Sequence, residues 1–344
     1  MTPAPTHPAP THTPVTAPAA STASKPWALA GHALPWAIAI VFYFTAEGSL
    51  SIGTQIIIWI LFALSLDLVL GYAGIVTLGH AAFFGIGAYA AGLFSIYFSP
   101  DPILGHLFAI VIAGLLGIVS GALILHTTGV TFLMLTLATV SLIFEFGNQA
   151  RWLTGGDDGL QGMKVGPIFG TFEFNIFGQT AYVYALVVLF LWFLFSWRLV
   201  SSPFGRSLDG IRQNSRRMRA IGTPVWWRLL AIYGISAAMA GSAGALLAHS
   251  TRFVGLSSLS LLTSGIVTVM LILGGTRKLY GAFIGAAIYY LVQDSTAKIS
   301  PYFWEFIVGG MLIATVLFLE GGLMDLGRVG RNFINRFRKP SDRS

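Results

Sequence analysis

Ten apolar segments of 12–21 residues, most of them near the ~20 residues that a bilayer core requires, succeed one another along the chain. They run Leu29–Thr45, Leu50–Leu70, Ala81–Phe98, Gly105–Leu125, Gly129–Gly147, Gln179–Trp197, Leu229–Ala248, Leu259–Leu273, Gly281–Val292 and Phe303–Leu319. In hydrocarbon the backbone polar groups of a segment must be satisfied internally, which makes each of these a helix. The expected fold class is all-α: a polytopic transmembrane helical bundle of about ten spans. Only 10% of the 344 residues are charged, against roughly 25% in soluble domains. That is too few to cover a water-facing surface of this size.

The net charge of +7 does not point to nucleic acid, because the basic residues sit in loops and a tail beside apolar spans, where they set topology and anchor to lipid. With the N-terminus inside and ten crossings, Lys25, the seven arginines from Arg198 to Arg228, Arg277, Lys278 and the six basic residues from Arg328 to Arg343 fall on one side. Only Arg151, Lys164, Arg252 and Lys298 fall on the other. The richer side is the cytoplasmic one, and it holds both termini. There is no cysteine, which excludes disulfides, thiolate catalysis and thiolate-bound metals.

The organisation along the chain is simple. Residues 1–26 are rich in Pro, Thr and Ala and hold seven of the 15 prolines. They cannot bury enough apolar surface to fold and are expected to be a disordered tail. His7, His12 and nearby His32 are irregularly spaced and do not read as a metal site. The membrane domain is expected over 27–326, with a cytoplasmic loop over 198–228, and a basic cytoplasmic tail over 327–344. The polar stretch between Asn148 and Gly178 contains an alternating TFEFNIF that predicts a small strand. Gly117/Gly121, Ala237/Gly241/Ala245 and Gly281/Gly285 place small residues four apart, a spacing that lets helix backbones approach closely in lipid.

Few residues inside the spans could carry chemistry. Asp67 precedes, and His80 follows, the Gly-rich interruption Gly71-Tyr72-Ala73-Gly74, so a broken or re-entrant element is expected near Gly71–His80. Broken backbone at membrane depth has to line a cavity or pack in protein, and it commonly belongs to a substrate path. The simplest local reading has Asp67 capping or tying the break and His80 bonded to a neighbouring carbonyl. The candidate path residues are Thr77, His80, Phe83 and Phe84. Asp157 and Asp158 stand together in GGDDGL without another titratable partner, so they suggest a tight turn rather than an acid/base pair. Ala240-Gly241-Ser242-Ala243-Gly244 lacks the first glycine of a nucleophile elbow and lies in a hydrophobic helix, which reads as packing. Neither a metalloprotease HExxH nor a P-loop occurs. No catalytic residue, metal or cofactor is assigned, and an intramembrane enzyme is disfavoured.

The arginine loop has its own pattern. Phe204, Leu208, Ile211 and Met218 recur at helical spacing, with Arg206, Arg212, Arg216, Arg217 and Arg219 between them, and Gly222-Thr223-Pro224 stops the helix. Such a helix either lies on anionic lipid or inserts its apolar side into a groove on a cytosolic partner.

Six stretches carry a family resemblance: LDLVLGYAGIVTLGHAAFFGIGAYAAG (Leu66–Gly92), GVTFLMLTLA (Gly129–Ala138), TGGDDGL (Thr154–Leu160), FGRSLDGIRQNSRRMRAIG (Phe204–Gly222), LGGTRKLYGAFIGA (Leu273–Ala286) and FLEGGLMDL (Phe318–Leu326). In this order they resemble the LivM-type permease subunits of ABC importers for branched-chain amino acids, within the LivH/LivM group. The resemblance implies a bacterial inner-membrane subunit working with a second, LivH-like permease, two cytosolic ATPases and a periplasmic substrate-binding protein. It also implies that Arg206, Leu208, Ile211, Arg212, Arg216, Arg217, Met218, Gly222 and Pro224 contact the ATPases, with no part for nucleic acid. The chain departs from the family pattern at Arg277 and Lys278, where small residues are usual, and at Asp67, where Asn is frequent and Asp is seen in urea-type relatives. Urea or short-amide import is therefore an alternative, as is a carrier or channel that works without nucleotide.

Overall fold

The computed structural model describes residues 26–45, 48–168, 170, 172–175, 178–299, 304–318 and 322–325. The Pro/Thr/Ala-rich tail, up to its last residue, and the basic tail over 327–344 lie outside the described residues. The chain divides into two compact units, up to Ile40 and from Val41 onward. Helix α1, Pro26–Thr45, crosses that boundary. In the second unit follow α2 (Leu50–Asp67), α3 (His80–Tyr97), α4 (Pro102–Ile124), α5 (Val130–Gln149), the one-turn α6 (Arg151–Thr154) and α7 (Gln179–Ser201). Then come α8 (Pro203–Ala220), α9 (Val225–Thr251), α10 (Leu261–Gly274), α11 (Leu279–Ile299) and α12 (Trp304–Phe318).

The all-α class holds. Six of the described helices are long and apolar enough to cross a membrane: α2 with its extension to Tyr72, α3, α4, α5, α7 and α9. The pair α10 and α11, bent by 115°, brings the number to seven if it forms one span. The ten spans expected from the sequence are not all supported. At 1.5 Å per residue, the 14 residues of α10 reach only about 21 Å, short of a bilayer core of ~30 Å. The strand expected in TFEFNIF is also absent among the described residues, where Phe172 makes only an isolated bridge to Ile168.

Local chemistry explains several helix starts. Asp101 accepts from the N–H of Ile103 at 2.9 Å, with Pro102 in the first turn of α4. Ser202 accepts from Gly205 N–H, with Pro203 opening α8. Ser260 accepts from Thr263 N–H at the start of α10. In each case a side-chain oxygen satisfies an N–H that has no partner inside the helix.

The core of this unit is α9, which packs on α3, α4 and α2. The contacts are made where side chains vanish. A Cβ on Gly87 would fall 2.3 Å from Cα of Gly241, one on Gly241 2.2 Å from Cβ of Ala113, and one on Gly117 2.3 Å from Cβ of Ala237. A Cβ on Gly285 would lie 1.9 Å from the carbonyl of Met270. The Gly117, Ala237/Gly241 and Gly281/Gly285 spacings are thus backbone crossings between helices. By contrast α4, α5 and α7 are mostly exposed, and their outer faces carry large apolar side chains such as Leu123, Leu142 and Leu191.

Candidate functional site

The expected interruption is real but differs in form. α2 does not stop at Asp67; it widens into a π-helical turn over Leu68–Tyr72, with Ala73 N–H donating to Leu68 O. Residues 73–79 then run without regular structure into α3. The sharp re-entrant geometry lies elsewhere, at the 115° bend between Gly274 and Leu279.

Asp67 ties these two irregular places together. Its carboxylate is fully buried, and Oδ1 accepts from the backbone N–H of Arg277 at 2.8 Å. The Tyr72 hydroxyl donates to the Arg277 carbonyl at 3.1 Å. Asp67 therefore holds a turn 210 residues further along rather than capping its own helix. Gly71 makes room for this: a Cβ there would lie 2.1 Å from Asp67 Oδ1 and 2.9 Å from Arg277 N.

Thr77, His80, Phe83 and Phe84 lie together at the start of α3, and each is only 1–2% exposed. His80 stacks on Phe62 with ring centroids 5.5 Å apart and meets Phe83 edge-on. Phe84 stacks on Phe62 at 4.5 Å. Phe83 meets Tyr233 of α9 edge-on, and Thr77 Oγ1 accepts from Gly79 N–H at 3.1 Å. His80 Nε2 lies 2.8 Å from Ser65 Oγ, so its partner is a hydroxyl and not the carbonyl expected. Ser65 spends its one proton on Phe62 O at 2.6 Å. The bond from His80 is then a donation, which places the ring proton on Nε2. His80 Nδ1 is left without a partner. Sequence reasoning missed Ser65, Phe62 and Tyr233, because nothing in the pattern of a uniformly apolar helix marks which residues face α3.

A cavity of about 1070 Å³ lies between α3, α4 and α5, lined by Tyr89, Leu93, Phe108, Ile143 and Phe146 among others. A smaller one of about 530 Å³ lies beside His126, Arg219 and Trp226. None of the four path candidates lines either of them.

The arginine loop forms α8, but with a kink. Asn214 has an extended backbone (φ −158°, ψ 94°), and its Oδ1 accepts from Arg217 N–H at 2.9 Å. It thereby caps a second short helix inside the element. Leu208 and Ile211 are buried, whereas Arg206, Arg212, Arg216, Arg217 and Arg219 are exposed. Met218 folds back on Gly210, where a Cβ would meet its sulfur at 2.8 Å. Gly222 ends the element at φ +85°, with Thr223 N–H donating to Met218 O at 3.0 Å, the pairing of a Schellman cap. Pro224 leads directly into α9 and is exposed. The side of α8 that bears Leu208 and Ile211 thus faces its own chain, Phe204 and Met218 are partly covered, and the arginines face outward.

Asp157 and Asp158 form a 3₁₀ turn between positive-φ glycines, and Asp157 faces Arg151 at 3.8 Å in the open. Ser242 lies inside α9 and bonds His106 and Trp192, so it is a tie between helices.

The described residues form a multi-pass helical membrane protein with a close-packed core and one basic, outward-facing helix. Residues 48–316 match the family described as branched-chain amino acid transport system, permease component, and the chain belongs to that family. It is 26% identical over 312 residues to the high-affinity branched-chain amino acid transport system permease protein LivM of Salmonella typhimurium, with 83% of this chain and 72% of that protein covered. The same figures hold for the LivM protein of Escherichia coli. The autoinducer 2 import system permease protein LsrC of an Enterobacter species is 26% identical over 229 residues, covering 63% of each chain. No solved structure matches the chain.

Proposed function

We propose that this protein is one permease subunit of an ATP-driven importer in a bacterial inner membrane, and that its solute is a branched-chain amino acid. The observation that carries the reading is α8: five exposed arginines on a helix whose Leu208 and Ile211 are already buried, in a chain that belongs to a transport-permease family. Cytosolic ATPase subunits dock on that face, a second, LivH-like permease completes the pathway, and a periplasmic binding protein delivers the solute. The exposed apolar faces of α4, α5 and α7 suit lipid and the second permease. α8, with its five exposed arginines, and the 275–278 turn, which Arg277 joins to Asp209 of α8, lie on the cytoplasmic side in this reading.

Within this reading the path runs past the α2–α3 junction, with Thr77, His80, Phe83 and Phe84 in its wall. A zwitterion would be met there by backbone dipoles rather than by a full charge. Because these side chains are packed against Phe62 and Tyr233, the junction has to move for solute to pass.

The docking face is tested by the triple variant R216E/R217E/R219E. The three side chains are exposed, so the fold should be unchanged, while co-purification of the ATPases should fall at least tenfold. Retention of the ATPases at wild-type levels would remove α8 from the interface. The chain has no cysteine, so a single Ser215→Cys reports sidedness directly; labelling from outside intact cells would overturn the topology. Uptake without nucleotide by the chain alone would instead establish a carrier.

A second solute class has a specific observation behind it. The relatives include permeases named for autoinducer 2 and, in Azospirillum brasilense, for L-arabinose. Hydroxylated solutes are therefore the alternative, with urea-type solutes behind them. A ligand screen of the cognate binding protein separates the three.

A further inference from the structure

We propose that Arg277 is a positioning residue that latches α8 to the α2–α3 junction, so that displacement of the basic helix is passed to the break in α2. Three different groups of this one residue reach three places. Its guanidinium Nη2 lies 2.6 Å from Asp209 Oδ1 on α8. Its backbone N–H is held by the buried Asp67, and its carbonyl by Tyr72 in the π-turn. It does this at φ +64°, a left-handed conformation uncommon for a residue with a side chain and a recurrent mark of functional sites.

The latch has little slack. Gly74, just past the π-turn, packs against α8 itself, where a Cβ would fall 2.4 Å from Cγ of Arg212. From Asp67 the connection continues within one turn of α2 to Ser65, which holds His80 and whose carbonyl accepts from Ser236 of α9. Ala81 N–H donates to Ser264 Oγ of α10 at 2.8 Å, which ties the same junction to the helix that leads into the Arg277 turn. α8, the α10–α11 turn and the start of α3 are therefore joined by hydrogen bonds rather than by apolar contact alone. Asp67 Oδ2 is buried with no partner, an arrangement that leaves an acceptor free for a second position of the junction. A π-turn is the kind of helical irregularity that marks functional sites.

This proposal rests on the reading of α8 as the ATPase-docking segment. The test uses the full transporter, reconstituted with its ATPases and binding protein. In R277A the complex should assemble, basal ATP hydrolysis should stay within twofold of wild type, and solute-stimulated hydrolysis and uptake should fall at least fivefold. The charge swap D209R/R277D should recover at least half of the stimulation that R277D alone loses; aspartate tolerates the left-handed backbone at 277. A purely structural role would lower basal hydrolysis of the assembled complex together with stimulation, and that outcome overturns the latch. So does uptake by R277A within twofold of wild type, or a swap no better than its single variants. If R277A fails to assemble, D209N, which alters only a part-exposed side chain, carries the same expectation, and normal stimulation in it overturns the proposal. If wild-type protein binds no ATPase, the functional reading fails instead. The latch is then decided in membranes by unfolding midpoints of the single and swapped variants: non-additivity supports it and additivity refutes it.

Discussion

Gly244→Ala should destabilise the protein, although the same substitution stabilises most helices. Gly244 lies in α9 against α3, and a Cβ there would stand 1.9 Å from the carbonyl oxygen of Phe84 and 2.8 Å from the nitrogen of Ala88. Close C···O contacts in proteins begin near ~3.3 Å, so the two helices would have to part by roughly 1.4 Å. Both neighbours are backbone, so no side chain can rotate away. Overpacking of this kind costs about 1–3 kcal/mol, and the upper part of that range applies here. Alanine's helix preference returns about 1 kcal/mol, which leaves a net loss of about 2 kcal/mol. Gly265 in α10 is the control, because a Cβ there meets nothing within 4 Å and Gly265→Ala should gain up to about 1 kcal/mol. On the scale of about 2–4 °C per kcal/mol for domains of 150–250 residues, the midpoints of the two variants should differ by up to roughly 6–12 °C. Heating in detergent followed by size-exclusion of a fluorescent fusion measures this. Equal midpoints, or Gly244→Ala the more stable, would refute the claim that α3 and α9 meet backbone to backbone.

Three further outcomes are expected. Asp67→Asn keeps an oxygen for the Arg277 N–H and should unfold near the wild-type temperature, whereas Asp67→Ala leaves that donor unpaired at a cost of about 1–3 kcal/mol; similar losses in both variants would show that the charge, not the acceptor, matters. Gly222→Ala forces a side chain into a left-handed conformation at about 1–2 kcal/mol, so the end of α8 should become more sensitive to limited proteolysis between Arg219 and Arg228 while the midpoint of the whole protein stays put. His80→Ala should slow uptake at normal assembly, and Ser65→Ala, which removes only the hydroxyl that receives the His80 proton, should reproduce part of that loss; unchanged affinity and rate in His80→Ala would take His80 out of the path.

What the sequence reveals here follows from the range of the interactions involved. Span positions and the break near Gly71 are local properties, carried by contiguous apolar residues and a glycine cluster, and they appear in the structure close to where the pattern puts them. The small-residue spacings are also local, though the sequence does not say which helix each stripe meets. The span count is less legible: Leu259–Leu273 is apolar enough to cross a membrane, but α10 within it is short and bent by 115° against α11, and length and bend as well as apolarity decide whether a helix crosses. The partners of the buried polar groups are harder still. Asp67 is adjacent to a broken helix, and adjacency suggests a cap; its partner is instead 210 residues away, in a turn whose own sequence, GGTRKL, shows only that it is a turn.

The kink in α8 illustrates why a correct periodicity can still mislead about function. Phe204, Leu208 and Ile211 share a face on any α-helix, and Met218 extends the same 3.6-residue pattern only if the helix continues unbroken. Asn214 interrupts it by bonding the N–H of Arg217 through its side chain, a competition that asparagine offers wherever it stands in a helix. Met218 nevertheless comes back over Gly210, so the apolar residues are still gathered, but onto the protein's own body. Leu208 and Ile211 are thereby engaged in holding α8 in place, and the arginines face outward. A helix anchored in this way moves with whatever grips its charged face. Under the proposed function, this anchoring is what would let a cytosolic subunit pass a push into the membrane, and a helix free to peel away from the bundle would not do so.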